Sequence, residues 1–187
     1  MVRKIAFLTS EASAGGLERN ALQFIEWLWN EQHQIDLFAP AESELESVAK
    51  ERGIRVIPFQ KSVSYINLRV IRQLTRHLKE NSHSILIIIR PRDIMMASVL
   101  KIFWYRKLKL IYFQQSFLWL KKHPVLYTFL FRPFDAWISP SKKLAEKALA
   151  LSRYNPARML IIPPCIDVDY FDKDTLTRRA ARKILDI

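Results

Sequence analysis

The chain is a regular succession of short apolar runs and amphipathic stretches, and that alternation leaves few folds open to it. Residues 4–9, 34–40, 54–59, 84–89, 109–113, 135–139 and 158–163 read as strands. Helical spacing fills the gaps at 17–31, 42–53, 67–80, 94–105, 124–132 and 139–152, and a short basic helix follows at 175–185. In the first helical stretch Leu17, Ala21, Leu22, Ile25, Leu28 and Trp29 share one face. From Ile85 to Ile89 every position is apolar, as expected of a strand covered on both sides. Strands alternating with helices form parallel βαβ units. The expected fold is therefore α/β: an open parallel, Rossmann-like sheet of six or seven strands with helices on both faces. With 187 residues the chain can form one full domain or one lobe of a larger protein.

Ligands of such sheets bind beyond the C-terminal ends of the strands. The segments to inspect are therefore 10–16, 90–93, 114–123, 139–141 and 163–167. Two of the chain's three glycines, Gly15 and Gly16, stand together after the first strand and open the first helix. They suit a tight strand-to-helix turn. They equally suit a phosphate drawn up to the free amides of a helix start. The fingerprints G-x-G-x-x-G and G-x-x-x-x-G-K are both absent. Arg90 and Arg92 follow the fourth strand, where an arginine fork would hold a phosphate or an acidic sugar. The other reading is a loop that is either solvated or paired with Asp93. Asp167-Val-Asp169 spells D-x-D, but His33, His77, His83 and His123 are scattered without ligand spacing, so no metal site is expected.

Charge is unevenly spread. Residues 1–60 hold six Lys/Arg against nine Asp/Glu, whereas residues 61–187 hold 24 against nine. Residues 94–134 contain no acidic side chain and seven basic ones, among them Lys107, Lys121 and Lys122. Phe103, Trp104, Tyr105, Phe117, Trp119, Tyr127, Phe129 and Phe131 are interleaved with them. Basic residues with amphipathic aromatics suit an anionic membrane surface, with Lys107, Trp119, Lys121 and Lys122 as the contacts. Nucleic acid would also answer to charge and stacking, but no nucleic-acid motif is present and this partner is not expected. The lone Cys165 excludes an internal disulfide and fits a reducing cytoplasm. No signal-peptide pattern or spanning-length apolar run is visible. The expected location is cytoplasmic, peripheral on the inner face of the membrane.

Three stretches bring a family to mind. "GGLERNALQFIEWLWNEQHQIDLFAP", with Gly15, Gly16, Glu18 and His33, resembles the opening of the family 4 retaining glycosyltransferases of GT-B fold. "DAWISPSKKLAEKAL" is similar to that family's strand and serine-initiated helix. "MLIIPPCIDVDYFD" resembles the ending of its N-terminal lobe, with Pro164-Cys165 where the family has Asn-Gly. The resemblance implies that residues 1–187 are the N-terminal, acceptor-side lobe, without the C-terminal donor-binding lobe and its acidic motif. It implies a nucleotide-sugar donor as co-substrate, no metal or cofactor, and transfer with retention to a glycan or lipid-linked acceptor. It places the amides of Gly15, Gly16 and Leu17 at the donor diphosphate, and Arg90, Arg92, Gln114 and Ser141 along the acceptor cleft. Where the family often has a histidine after the fifth strand, Gln115 aligns, and a glutamine cannot carry a proton near neutral pH. A polar loop residue capping the strand end is the alternative. The isolated lobe is expected to be nearly inactive. A non-enzymatic basic α/β module that binds anionic membrane or nucleic acid is the competing reading of the whole chain.

Overall fold

The computed structural model describes residues 2–60, 66–116, 124–164 and 178–186. Seven parallel strands form one sheet: β1 (Lys4–Leu8), β2 (Gln34–Pro40), β3 (Arg55–Phe59), β4 (Ile85–Ile88), β5 (Lys109–Phe113), β6 (Ala136–Ser139) and β7 (Met159–Ile161). Their order across the sheet is β3-β2-β1-β4-β5-β6-β7. The helices between them are α1 (Gly16–Asn30), α2 (Glu44–Glu51), α3 (Leu68–Glu80), α4 (Ile94–Phe103), α5 (Pro124–Phe131) and α6 (Lys142–Ser152), with α7 (Arg178–Leu185) last. The open parallel architecture is the one expected from the alternation.

Both faces of the sheet are covered because each strand alternates its side chains between two cores. Ala6, Leu8, Leu86 and Ile88 turn to one core, beneath Ile71 and Leu74 of α3, Ala97 and Leu100 of α4, Phe131 of α5 and Ala148 of α6. Ile5, Phe7, Ile87 and Ile89 turn to the other, beneath Leu22 and Ile25 of α1 and Leu45 and Ala49 of α2. The first core is organised around Trp137, fully buried, whose ring stacks on Phe131 at 4.5 Å and meets Tyr112 edge-on at 5.0 Å.

Local chemistry sets the ends of the helices. Ser43, Asn67 and Ser141 cap α2, α3 and α6 by accepting first-turn amides. Of the two serines that fit the start of α6, Ser141 is the cap and Ser139 ends β6. Gly53, after α2, has φ +75°, a conformation that favours glycine. The two edges of the sheet differ. On β3, Gln73 Nε2 of α3 donates to the carbonyl of Pro58 at 2.9 Å. On β7 and just after it, Leu160, Ile161 and Ile162 are about half exposed. Among the described residues no helix is long and apolar enough to cross a membrane.

Candidate functional site

The sheet's order reverses between β1 and β4, and the loops leaving these two strands border a crevice at the switch point. The loop after β1 is fastened from several sides. Ser10 N donates to Asp93 Oδ2 at 2.9 Å, and Ala14 N to Glu44 Oε2 at 3.2 Å. Leu45 N donates to the carbonyl of Ala12 at 3.1 Å. Asp93 is 2% exposed, and burial pushes its carboxyl up to about 6 against the hydrogen bonds from Ser10 and the charges of Arg92 and Arg90. Glu11 goes the other way. Burial would raise it, but the amides of Ala12 and Ser13, with Arg90 nearby, together hold it below the usual carboxylate range.

The loop delivers the chain to Gly15, the N-cap of α1. Its backbone is extended, φ −68° and ψ −176°, and it offers no side chain to cap the helix. The amides of Gly16, Leu17 and Glu18 begin the first turn, where no carbonyl within the helix can meet them. Neither glycine adopts a positive φ. A Cβ on Gly15 would stand 3.3 Å from Glu18 Oε2, and a Cβ on Gly16 would meet nothing within 4 Å. The turn itself therefore makes little demand for glycine at Gly16, which faces open space.

Arg90 is engaged from below this turn. Its Nη2 forms an ion pair with Glu18 Oε1, and Glu11 Oε2 lies 3.6 Å away. Glu18 is 2% exposed, so the pair is a buried one. Arg90, expected as half of an arginine fork, is thus already paired with the glutamate under the glycines, and its charge and that of Arg92 also act on Asp93. Glu18 was visible in the sequence as part of a motif, but nothing there pointed to Arg90 as its partner, 72 positions away. Arg92 stands beside it at the rim, in the short turn Pro91–Asp93.

After β5 the two glutamines part company. Gln114, expected in the cleft, is 1% exposed and faces the core: it accepts from Trp137 Nε1 at 3.0 Å and donates to the Ser116 carbonyl at 3.0 Å. That is a correction, and its cause is the strand's own alternation, which carries Tyr112 and Gln114 to the same side. Gln115 turns the opposite way. Its side-chain nitrogen and oxygen are both buried, with no hydrogen-bond partner among the described residues. Ser141 accepts from Leu144 N at 3.3 Å and so acts as a cap.

The basic aromatic stretch 94–134 is not one surface. Phe131 and Phe134 are core, while Phe103, Trp104 and Phe129 are exposed. Lys101 and Lys109 pair with Asp135 at 2.5 and 3.3 Å. Lys107 is exposed between α4 and β5, at the N-terminal end of that strand. Trp119, Lys121 and Lys122 come after its C-terminal end and lie outside the described residues, as do Cys165, Asp167 and Asp169.

Two of the histidines, scattered in sequence, meet in the fold. His77 Nε2 and His83 Nε2 lie 2.6 and 3.3 Å from Asp36 Oδ2, towards the N-terminal end of the sheet and away from the crevice. These are metal-ligand types within 4.8 Å of one another. Their surroundings do not fit a metal. Arg55 Nε is already 3.6 Å from Asp36 Oδ1. Nδ1 of His83 is buried without a partner among the described residues, so a metal on Nε2 would force a proton onto a nitrogen that has no acceptor. The cluster is a hydrogen-bonded tie between β2, α3 and the approach to β4. Burial would raise Asp36, but the bonds from His83 and His77 outweigh it and hold the carboxyl low.

The protein family whose profile matches residues 14–170 is described as Glycosyltransferase Family 4. Among curated proteins, none matches the sequence. Among solved structures, HepE of Anabaena in complex with UDP and glucose is similar at TM-score 0.74 and 13% identity, over 98% of this chain and 50% of that one. A glycosyltransferase from Rickettsia africae gives 0.78 and 14%, over 99% and 49%. The lipopolysaccharide outer core galactosyltransferase WaaB gives 0.68 and 18%, over 88% and 46%. At these identities the likeness is one of fold. The chain spans about half the length of the solved structures it matches.

Proposed function

The chain belongs to glycosyltransferase family 4, and on that footing we propose that it is the N-terminal, acceptor-side lobe of an enzyme that moves a sugar from a nucleotide-sugar donor to a hydroxyl of a glycan or lipid-linked acceptor, with retention of configuration. The observation that carries this reading is Gly16. Its backbone is ordinary, yet the place a side chain would fill is open for 4 Å around. That space lies against first-turn amides with no acceptor of their own, at the positive end of the dipole of α1, an arrangement suited to a phosphate. The similar fold of HepE is known with UDP bound.

In the proposed reaction an acceptor oxygen bonds to the anomeric carbon as that carbon's bond to the diphosphate oxygen breaks. The acceptor's proton leaves with the diphosphate. The amides of Gly16 and Leu17 meet the negative charge that grows on the leaving group. The Arg90–Glu18 pair holds the turn from beneath. Gln115, unable to exchange a proton near neutral pH, would orient a hydroxyl with its amide. We place the enzyme on the cytoplasmic side of a membrane, touching it through the segment that carries Trp119, Lys121 and Lys122.

The test is transfer by the full-length enzyme offered UDP-, GDP- and ADP-sugars in turn, with the product's anomeric configuration read by NMR. One nucleotide sugar should support transfer, with retention. Inversion would overturn the retaining mechanism. Donor affinity unchanged in Gly16→Val would overturn the donor site.

A further inference from the structure

The solvent face of α3 carries Arg69, Arg72 and Arg76, all exposed. With Ile57, Gln73 and His77 they line an open groove of about 360 Å³ between the helix and the edge strand β3. The only carboxylate lining it is Glu80, at the far end of the helix. None of the three arginines forms an ion pair among the described residues, whereas Arg52, Arg55 and Arg90 all have carboxylate partners. Three guanidinium groups side by side repel one another, and an anion relieves that repulsion. Guanidinium suits a carboxylate or a phosphate, because its planar fork matches two oxygens of either.

The groove also has a direction. Parallel connectivity puts the start of α3 at the C-terminal end of β3, the same end of the sheet as the Gly15–Gly16 turn. Two strand spacings, roughly 10 Å, separate β3 from β1. Along the helix, successive arginines are about 5 Å apart and the three together span roughly 10 Å. An extended chain with its growing end at the crevice would cross the tops of β1 and β2 and lay its older units along α3.

We propose that this groove binds a carboxylate-bearing oligosaccharide, the uronate-containing stem of the acceptor, with Arg69, Arg72 and Arg76 reading successive negative charges. The proposal rests on the glycosyltransferase reading for the word acceptor, but the binding itself does not depend on it. A flat lipid surface fits less well, since the arginines line a concavity and, among the described residues, the exposed apolar side chains near them are Ile66 and Leu68 at the start of the helix.

The test uses the chain with a hexamer of galacturonate, a neutral maltohexaose and vesicles containing phosphatidylglycerol. Galacturonate hexamer should bind, weaken as salt rises, and bind at least tenfold more weakly to Arg72→Ala/Arg76→Ala. The variant's thermal midpoint, which should not change because both side chains are exposed, controls for folding. Equal binding of the neutral hexamer, undiminished binding by the variant, or binding to vesicles alone would each overturn the proposal. Transfer to a short neutral acceptor by the full-length enzyme separates the two readings. If that transfer persists while the acidic hexamer is ignored, the groove proposal fails and the enzyme reading stands. If the hexamer binds through the arginines and no sugar is transferred to anything, the failure belongs to the enzyme reading.

Discussion

The guanidinium of Arg90 rests on the buried carboxylate of Glu18, directly below the backbone of Gly15. One residue comes from the loop after β4 and the other from the first turn of α1, so the contact joins the two walls of the crevice. It also offsets the charge of Glu18, which standing alone under the proposed phosphate site would repel an anion.

Breaking that pair should therefore cost both stability and function. Arg90→Ala leaves Glu18 buried without compensation and should lower unfolding stability by about 3–5 kcal/mol. The double variant Glu18→Leu/Arg90→Met removes both charges and should recover most of it. Urea denaturation of the three proteins gives the answer, and a loss below about 1 kcal/mol in Arg90→Ala would show that the pair behaves as an exposed one.

The two glycines should separate in their effects. Gly16→Ala adds a side chain to open space at a helical position and should leave the fold as stable or raise it by up to about 1 kcal/mol. Gly15→Ala brings a Cβ to 3.3 Å from Glu18 Oε2, so the carboxylate must shift and stability should fall. Thermal melts rank the two, and the opposite order would contradict the geometry of the turn.

Stability should also respond to pH through Asp93. Its folded value, about 6, lies above the ordinary 3.8, so the folded protein holds that proton more tightly than the unfolded chain. The contribution is complete below the ordinary value and is lost as pH rises to the folded one, a decline of up to about 3 kcal/mol. Asp93→Asn keeps an oxygen for Ser10 N and should flatten this part of the profile. Identical pH profiles for the two proteins between 4 and 6 would remove Asp93 from the account.

Flotation with vesicles checks the membrane contacts. The unmodified chain should float with anionic vesicles at low salt and not with zwitterionic ones. Each basic residue near the surface is worth about 1 kcal/mol, so Lys121→Glu/Lys122→Glu should weaken attachment by about tenfold or more. Trp119→Ser should abolish the part that survives added salt. Protein that stays at the bottom of the gradient would end the membrane reading.

Much of the fold was legible because strands buried on both faces must be apolar at nearly every position. Ile85–Ile88 announces itself that way, and Gly53 and Ser141 mark helix ends by their chemistry. The proposed site shows in the sequence only where a single residue type carries the meaning, as at Gly16. Gln114 and Gln115 look interchangeable in sequence, and only the direction of the pleat decides which one reaches Trp137 and which has no side-chain partner among the described residues. Asp36 lies 41 positions from His77, a separation that local periodicity cannot bridge. Within 94–134 composition could not separate core from surface: Tyr112, Phe131 and Phe134 are buried while Phe103, Trp104 and Phe129 are exposed.

The closed edge of the sheet has a bearing on assembly. Proline has no amide to donate, and the carbonyl of Pro58 is already taken by Gln73, so a foreign strand laid against β3 would find a broken ladder. Among the described strands, only the β7 flank can accept one. A body that can be joined on a single side pairs once and stops, because the second copy brings its own closed flank to the outside. Association of the described sheet through its strand edges would then join two copies and leave no further edge open.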